Sequence, residues 1–296
     1  MQKVLVTGAT GFIGNYVIEE LLRLNYEVIA TSSAIQKAES MPWFAKVTYK
    51  EFNLKDLDEN EDYFKFFNHP DILIHLAWEG LPNYKSDFHI TENLPRHAAL
   101  LQNLIENGLS DLTVAGTCFE YGMQEGELSE KTQVMPANPY AIAKNELRKK
   151  LELLNGIIND FSFKWARLFY MYGSGQNANS LLSQLDKALA EGKESFNMSG
   201  GEQQRDFLPV QKIAEYIVAT AMQKNITGVV NICSGKPVSV KDFVKNYLQK
   251  HEKFIRLNLG YYPYADYEPM NFWGDNSKLM KILLNKKQDY NFLPTA

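Results

Sequence analysis

The sequence predicts an α/β fold, a doubly wound parallel sheet with a smaller C-terminal lobe, on three observations. The chain opens with a short β-branched run that turns through glycines spaced three apart into an apolar helix pattern. Strand-like and helix-like stretches then alternate through the first half. The strands are continuous apolar runs, as strands buried on both faces are. After Phe169 the alternation loosens into short helices and glycine-punctuated loops.

Val4, Leu5 and Val6 form the first strand. Gly8, Gly11 and Gly14 follow, and a helical pattern begins at Phe12 and Ile13 and runs through Val17, Ile18, Leu21 and Leu22. A strand that turns through glycines into a helix aims backbone N–H groups and the positive helix end at one point, which suits a pyrophosphate. Gly8 permits the tight turn, Gly11 the close backbone approach and Gly14 close packing of helix on strand. The sheet is therefore expected to be Rossmann-type and to hold a dinucleotide, against the alternative of a glycine-rich turn in some other α/β protein. Further strands are expected at 27–31, 46–52, 71–76 and 112–115, with helices between them, the longest over 90–106. A helix over 139–155, with Pro139 near its first turn, precedes a strand over 162–168. Short helices at 180–191, 210–223 and 239–250, and a strand at 228–232, complete the pattern, while 261–273 is rich in Tyr and Pro. Residues 1–168 are thus expected to form the dinucleotide-binding domain, with 205–235 returning to the sheet. Residues 169–204 and 236–296 are expected to form a substrate-binding lobe over the C-terminal sheet edge, where ligands bind in such folds.

The 296 residues are 45% hydrophobic and 22% charged, an ordinary globular composition. A net charge of −4 without a basic run gives no reason to expect nucleic acid or an anionic membrane as partner. The first strand begins so early that no signal peptide is expected, and no apolar stretch approaches membrane-spanning length. Two cysteines, Cys118 and Cys233, without CxxC spacing, fit a reducing cytoplasm. The sequon at Asn225 carries little meaning there. The five histidines form no metal-ligand pattern, no metal is expected, and His75 reads as structural.

In the NAD pattern a carboxylate near the end of strand 2 bonds the adenosine ribose. Here that end reads Ala30-Thr31-Ser32-Ser33, and Glu27 comes too early. Small hydroxyls bond a 2′-phosphate without repelling it, and Lys37 lies a few residues on, so the pattern favours NADP(H). The alternative is that Ser32 and Ser33 cap the next element and NAD binds without the acidic contact. Tyr140 and Lys144 share a helix face at i and i+4. An ammonium one turn from a phenol lowers the phenol pKa and can bond the nicotinamide ribose. Such a phenol can give a proton to a carbonyl oxygen as hydride arrives. Thr117, placed just past the end of a strand, could bond the same oxygen.

With these residues in view, the chain resembles the extended short-chain dehydrogenase/reductase family of nucleotide-sugar epimerases, dehydratases and reductases, over nearly its whole length. The resemblance rests on Thr7-Gly8-Ala9-Thr10-Gly11-Phe12-Ile13-Gly14, His75-Leu76-Ala77 and Thr117-Cys118-Phe119-Glu120-Tyr121-Gly122, together with Tyr140 and Lys144. It continues through Arg167-Leu168-Phe169-Tyr170-Met171-Tyr172-Gly173 and Arg205-Asp206-Phe207. It implies a catalytic Thr117, Tyr140 and Lys144, with Asn93 as the helix asparagine behind the site. It implies cofactor contacts at Thr10, Phe12, Ile13, Asn53, Leu54, Leu76 and Ala77, and a nicotinamide beside Phe169, Tyr170 and Met171. Asn179 and Arg205 match substrate positions, Arg205 as a cation for the diphosphate, and Trp78, Cys118, Phe119 and Tyr262 complete the candidate substrate contacts. Family members pair through the helices near 90–106 and 139–155, so a homodimer is expected.

Within that family the 4,6-dehydratases follow the catalytic Thr with Asp-Glu. Here Cys118 and Phe119 follow, and Phe119 cannot move a proton. The GDP-fucose synthases place a Cys two residues after the catalytic hydroxyl, and here Cys118 is one residue early and reads as a packing residue. Hydride chemistry at one carbon remains. The expected activity is NADPH-dependent reduction of the 4-keto group of a nucleotide-linked 4-keto-6-deoxyhexose, giving a 6-deoxy or dideoxy sugar donor for polysaccharide biosynthesis. The segment from Tyr261 to Asp275 resembles that of such reductases. The alternatives are an NAD-dependent nucleotide-sugar 4-epimerase and, against the intact Thr117, Tyr140 and Lys144, a non-catalytic NADP-binding sensor.

Overall fold

The computed structural model describes residues 2–158 and 160–290. The first half runs β1 (Lys3–Thr7), α1 (Phe12–Arg23), β2 (Glu27–Ser32), α2 (Ile35–Glu39), β3 (Thr48–Glu51), α3 (Tyr63–Phe66), β4 (Ile72–His75), α4 (Leu94–Glu106) and β5 (Asp111–Thr117). It continues through β6 (Gly126–Leu128), α5 (Pro139–Ile157) and β7 (Ser162–Leu168). The remainder is β8 (Tyr170–Tyr172), α6 (Leu181–Ala190), β9 (Ser195–Asn197), β10 (Gln204–Pro209), α7 (Val210–Met222) and β11 (Gly228–Ile232). Then come β12 (Pro237–Ser239), α8 (Val240–Lys250), β13 (Arg256–Asn258), β14 (Phe272–Gly274) and α9 (Ser277–Tyr290).

Seven strands form one parallel sheet in the order β11-β7-β5-β4-β1-β2-β3. The reversal of order at β1 and β4 opens a crevice beyond their C-terminal ends. The continuous apolar runs are explained by two cores. Val4 and Val6 face Val17, Ile18 and Ile217 on one side, while Leu5 faces Leu73, Val114 and Trp165 on the other. Each such side chain, fully buried, contributes on the order of 1.5–3 kcal/mol.

Three expected elements differ in detail. Residues 44–46 form a 3₁₀ turn, so the strand expected over 46–52 is the shorter edge strand β3. The helix expected from residue 90 begins as a π turn over His89–Asn93, because Pro95 near the start of α4 has no N–H for the preceding turn. Thr117 is the last residue of β5 rather than a residue beyond it.

The expected division of the chain also shifts. β10 does not rejoin the main sheet: it pairs with β8 and β12 in a separate three-stranded sheet, and the return is made by α7 and β11. The segment α9, expected in the lobe, puts Leu279 and Ile282 into the core of the main sheet beside α1 and α7. Residues 291–296 of the expected lobe lie outside the described residues. The lobe has its own core, in which Leu185, Phe196 and Val244 pack together.

Candidate active site

The glycine turn is built for a ligand that backbone must touch. Gly8 has φ +69°, and a Cβ there would stand 2.8 Å from the Ala77 nitrogen. A Cβ on Gly14 would run into the Gly8 carbonyl. Gly11, the N-cap of α1, offers no side-chain cap, which leaves the first helical N–H groups for an anion. A dinucleotide fits this cradle.

Two clefts meet at the turn. One of about 230 Å³ is lined by Thr10, Ser32, Ser33, Lys37, Asn53, Leu54 and Ala77, as expected for an adenosine end. The other, about 400 Å³, is lined by Phe12, Ile13, Gly14, Thr117, Cys118, Phe119, Tyr140, Phe169 and Met171. Gly8, Gly11, Leu76 and Trp78 line both. Asn93 reaches neither: it is buried behind them, donating to the Glu79 carbonyl at 3.0 Å and to His89. Its expected cofactor contact is therefore replaced by a structural one.

Beside the adenosine end, outside its lining, stands a carboxylate that the sequence reading did not place. Parallel pairing sets Ser32 opposite Glu51, and Glu51 Oε1 accepts the N–H of Ile35, the first residue of α2, at 3.0 Å. The Ser32 hydroxyl is taken up by the Tyr49 hydroxyl at 2.9 Å. A 2′-phosphate reaching for Ser33 and Lys37 would find Glu51 already at the neighbouring amide, which weighs against the NADP(H) expectation.

At the other end, Thr117 is fixed by its neighbours. Its N–H donates to Glu120 Oε1 at 2.9 Å, and Glu120 is wholly buried, ion-paired to Arg167 at 2.7 Å and bonded by the Trp165 indole at 2.8 Å. The Thr117 hydroxyl accepts the Phe119 N–H and faces the Tyr140 phenol. Burial pushes the Tyr140 pKa far up, Tyr84 adds to this, and Thr117 pulls it down. The expected lowering by Lys144 is not among the influences on Tyr140. Lys144 is itself buried, its pKa brought down to about 7 by that burial against the pull of Glu120, and its ammonium lies 4.2 Å from the Trp78 ring centre. Cys118 is buried among Tyr121, Phe169 and Phe272, and burial raises its thiol pKa. That suits a packing residue.

Beneath the lobe a third cleft of about 610 Å³ continues from the second, sharing Pro82, Tyr84, Phe119 and Tyr170. Asn179, Arg205 and Tyr262 line it. Arg205 is not a free cation: its guanidinium is bound to Glu268 at 2.8 Å and to the Met270 carbonyl at 3.1 Å, and it packs on the Phe272 ring. Sequence reasoning missed Glu268, Tyr84 and Tyr267. The rings of Tyr84 and Tyr267 close on Phe119 at 5.0 and 6.2 Å. The aromatic richness of 261–273 was the available signal for Tyr267.

A doubly wound sheet with a glycine turn at its switch point and a Thr–Tyr pair in the adjoining cleft defines a dinucleotide-dependent enzyme class. The model of the NAD dependent epimerase/dehydratase family matches residues 4–233. The chain belongs to that family, whose members are oxidoreductases and epimerases acting on nucleotide sugars. It is 30% identical over 271 residues to the dTDP-6-deoxy-L-talose 4-dehydrogenase (NAD(+)) of Aggregatibacter actinomycetemcomitans, covering 92% of this chain and 98% of that protein. It is 23% identical to the dTDP-4-dehydro-6-deoxyglucose reductase of Escherichia coli, over 82% and 79% of the two chains. Among solved structures, MoeE5 in complex with UDP-glucuronic acid and NAD superposes with a TM-score of 0.77 at 25% identity, covering 95% and 92%. A UDP-glucuronic acid 4-epimerase from Bacillus cereus shares the fold, with a TM-score of 0.81 at 23% identity, over 100% and 95%. Among the described residues no helix is long and apolar enough to cross a membrane, and no cluster of metal-ligating side chains is present.

Proposed function

We propose that this protein reduces the 4-keto group of a nucleotide-linked 4-keto-6-deoxyhexose, reversibly, with NAD(H). The observation that carries this is Tyr140: a buried phenol, pushed toward its protonated form, facing Thr117 in a cleft beside the glycine turn. A phenol that keeps its proton is suited to donate it to a carbonyl oxygen. The dinucleotide, held at the glycine turn by Gly8, Gly11 and the start of α1, supplies the hydride when bound. Tyr140 protonates the oxygen at C4, Thr117 orients that oxygen, and Lys144 would bond the ribose of the bound dinucleotide. Phe119 stands where a dehydratase needs an acid, and the thiol of Cys118 stays protonated, so water elimination has no proton carrier.

The choice of NAD(H) over the expected NADP(H) is supported by Glu51 and by the NAD in the relatives' names. Epimerisation is the second reading, favoured by several relatives named 4-epimerases. It requires a ketosugar to turn over within the cleft that Tyr84, Phe119 and Tyr267 line. Arg205 is the only cation lining the outer cleft among the described residues, and we assign it the diphosphate once Glu268 yields. Incubation with NADH and a panel of 4-keto-6-deoxy nucleotide sugars tests the reading. Stoichiometric loss of NADH is expected. Isomer exchange without net loss would mean an epimerase, and no reaction with any sugar would overturn both.

A further inference from the structure

Lys144 poses a physical problem that Thr117 and Tyr140 do not solve. It is 2% exposed, and a buried ammonium needs compensation. Glu120, the carboxylate that acts on it, is committed to Arg167 and Trp165. What lies against the Lys144 nitrogen is the face of Trp78, at 4.2 Å, with the Trp165 ring behind it at 5.5 Å.

Trp78 is itself held on both sides. Its indole N–H donates to His89 Nδ1 at 3.1 Å, and His89 Nε2 donates to the Asn83 carbonyl at 2.9 Å. Its ring stacks on His97 at 4.6 Å and 20°. His97 Nδ1 is bonded to His75 Nε2 at 2.8 Å, and His75 Nδ1 to the Thr7 hydroxyl at 2.8 Å. Thr7 ends β1, immediately before Gly8. A continuous frame thus runs from the glycine turn to the indole, and Trp78 stands at the junction of the two upper clefts.

We propose that Trp78 is a positioning residue for Lys144: its indole face seats the ammonium by a cation–π contact, and the Thr7–His75–His97 frame holds that face in place. The same frame explains two of the histidines. His75 and His97 are both kept neutral, by burial first; Lys144 adds to the effect at His75, and His75 and then Lys144 add to it at His97. Neutral rings add no charge of their own against the ammonium, which is favoured by Glu120 and by the face of Trp78. Around Lys144 the charged and titratable groups include Tyr140 and Arg148 on its own helix, Glu120 after β5 with its partner Arg167 on β7, His75 on β4, His97 on α4 and His89 before it. The role in hydride chemistry rests on the function proposed above, whereas the seating of the ammonium does not.

The test is the titration of Lys144 in the intact protein, followed by NMR of side-chain-labelled lysine and assigned with Lys144→Arg. Trp78→Phe offers a weaker aromatic face and Trp78→Leu none. The Lys144 midpoint is expected to fall in that order, by about half to one pH unit for Leu. The basic limb of kcat should move to lower pH by the same amount. Thermal melts establish that each variant folds; if Trp78→Leu does not, the step to Phe decides. A Lys144 midpoint equal in the parent and in Trp78→Phe and every other folded variant overturns the proposal. A shifted midpoint in a protein inert toward every sugar would leave the seating intact and overturn the proposed activity instead.

Discussion

The cleft at the glycine turn and the cleft under the lobe recognise their ligands by opposite means. The first uses backbone: Gly8 and Gly14 admit no side chain, and α1 begins without a side-chain cap. The second is lined by aromatic rings and polar side chains around one arginine already paired with Glu268. Backbone recognition of a pyrophosphate depends on a turn geometry that few sequences adopt. Side-chain recognition of a sugar can be rebuilt by substitution without disturbing the sheet. On the proposed function, one half of the molecule is fixed by its chemistry and the other is open to change of substrate.

Four substitutions would break or sharpen that contrast. The largest effect is expected in the glycine-turn cleft: Tyr140→Phe should lower kcat by about 10²–10⁴ while dinucleotide affinity holds, as read by steady-state kinetics beside NADH fluorescence titration. Full turnover in that variant would remove Tyr140 from the chemistry. Gly14→Ala comes next, since its Cβ meets the Gly8 carbonyl. Dinucleotide affinity should weaken at least about tenfold, or the melting temperature fall, because rigid backbone must shift; a variant binding NADH normally would show that the turn is more pliable than its geometry says. In the lobe, Glu268→Gln removes a carboxylate that competes with a diphosphate for Arg205, and the KM for the nucleotide sugar should fall a few-fold. An unchanged KM would make the pair purely structural. Smallest is Glu51→Gln, which should narrow the preference for NADH over NADPH several-fold in a comparison of kcat/KM; no change would return the choice of cofactor to Ser32, Ser33 and Lys37.

Legibility in the sequence follows the same division. Glycine spacing, buried strands and the Tyr–Lys step along α5 are local patterns, and the main sheet emerges from them directly, whereas much of the upper-cleft lining, such as Asn53, Leu76 and Met171, was indicated by the family resemblance. What was not legible depends on partners far apart in sequence. Glu268 reaches Arg205 across 63 residues, so an arginine that reads as a free cation turns out to be paired. Glu51 comes to the adenosine end only through the register of β3 beside β2. Lys144 shares a face with Tyr140 as its spacing says, yet its ammonium turns to Trp78, which stands after a different strand. The strands of the lobe were missed because most are three residues long, too short for a period to show.

The last helix changes how the molecule comes into being. Leu279 and Ile282 complete a core whose other walls are Val17, Ile18 and Ile217. During synthesis the main sheet, complete once β11 (Gly228–Ile232) has formed, therefore keeps one flank of its interior uncovered until α9 (Ser277–Tyr290) follows. The two halves differ in how they recognise ligands, but the ribosome delivers them as one folding unit, and a cut ahead of Ser277 would leave the earlier half exposing apolar surface to whatever it meets first.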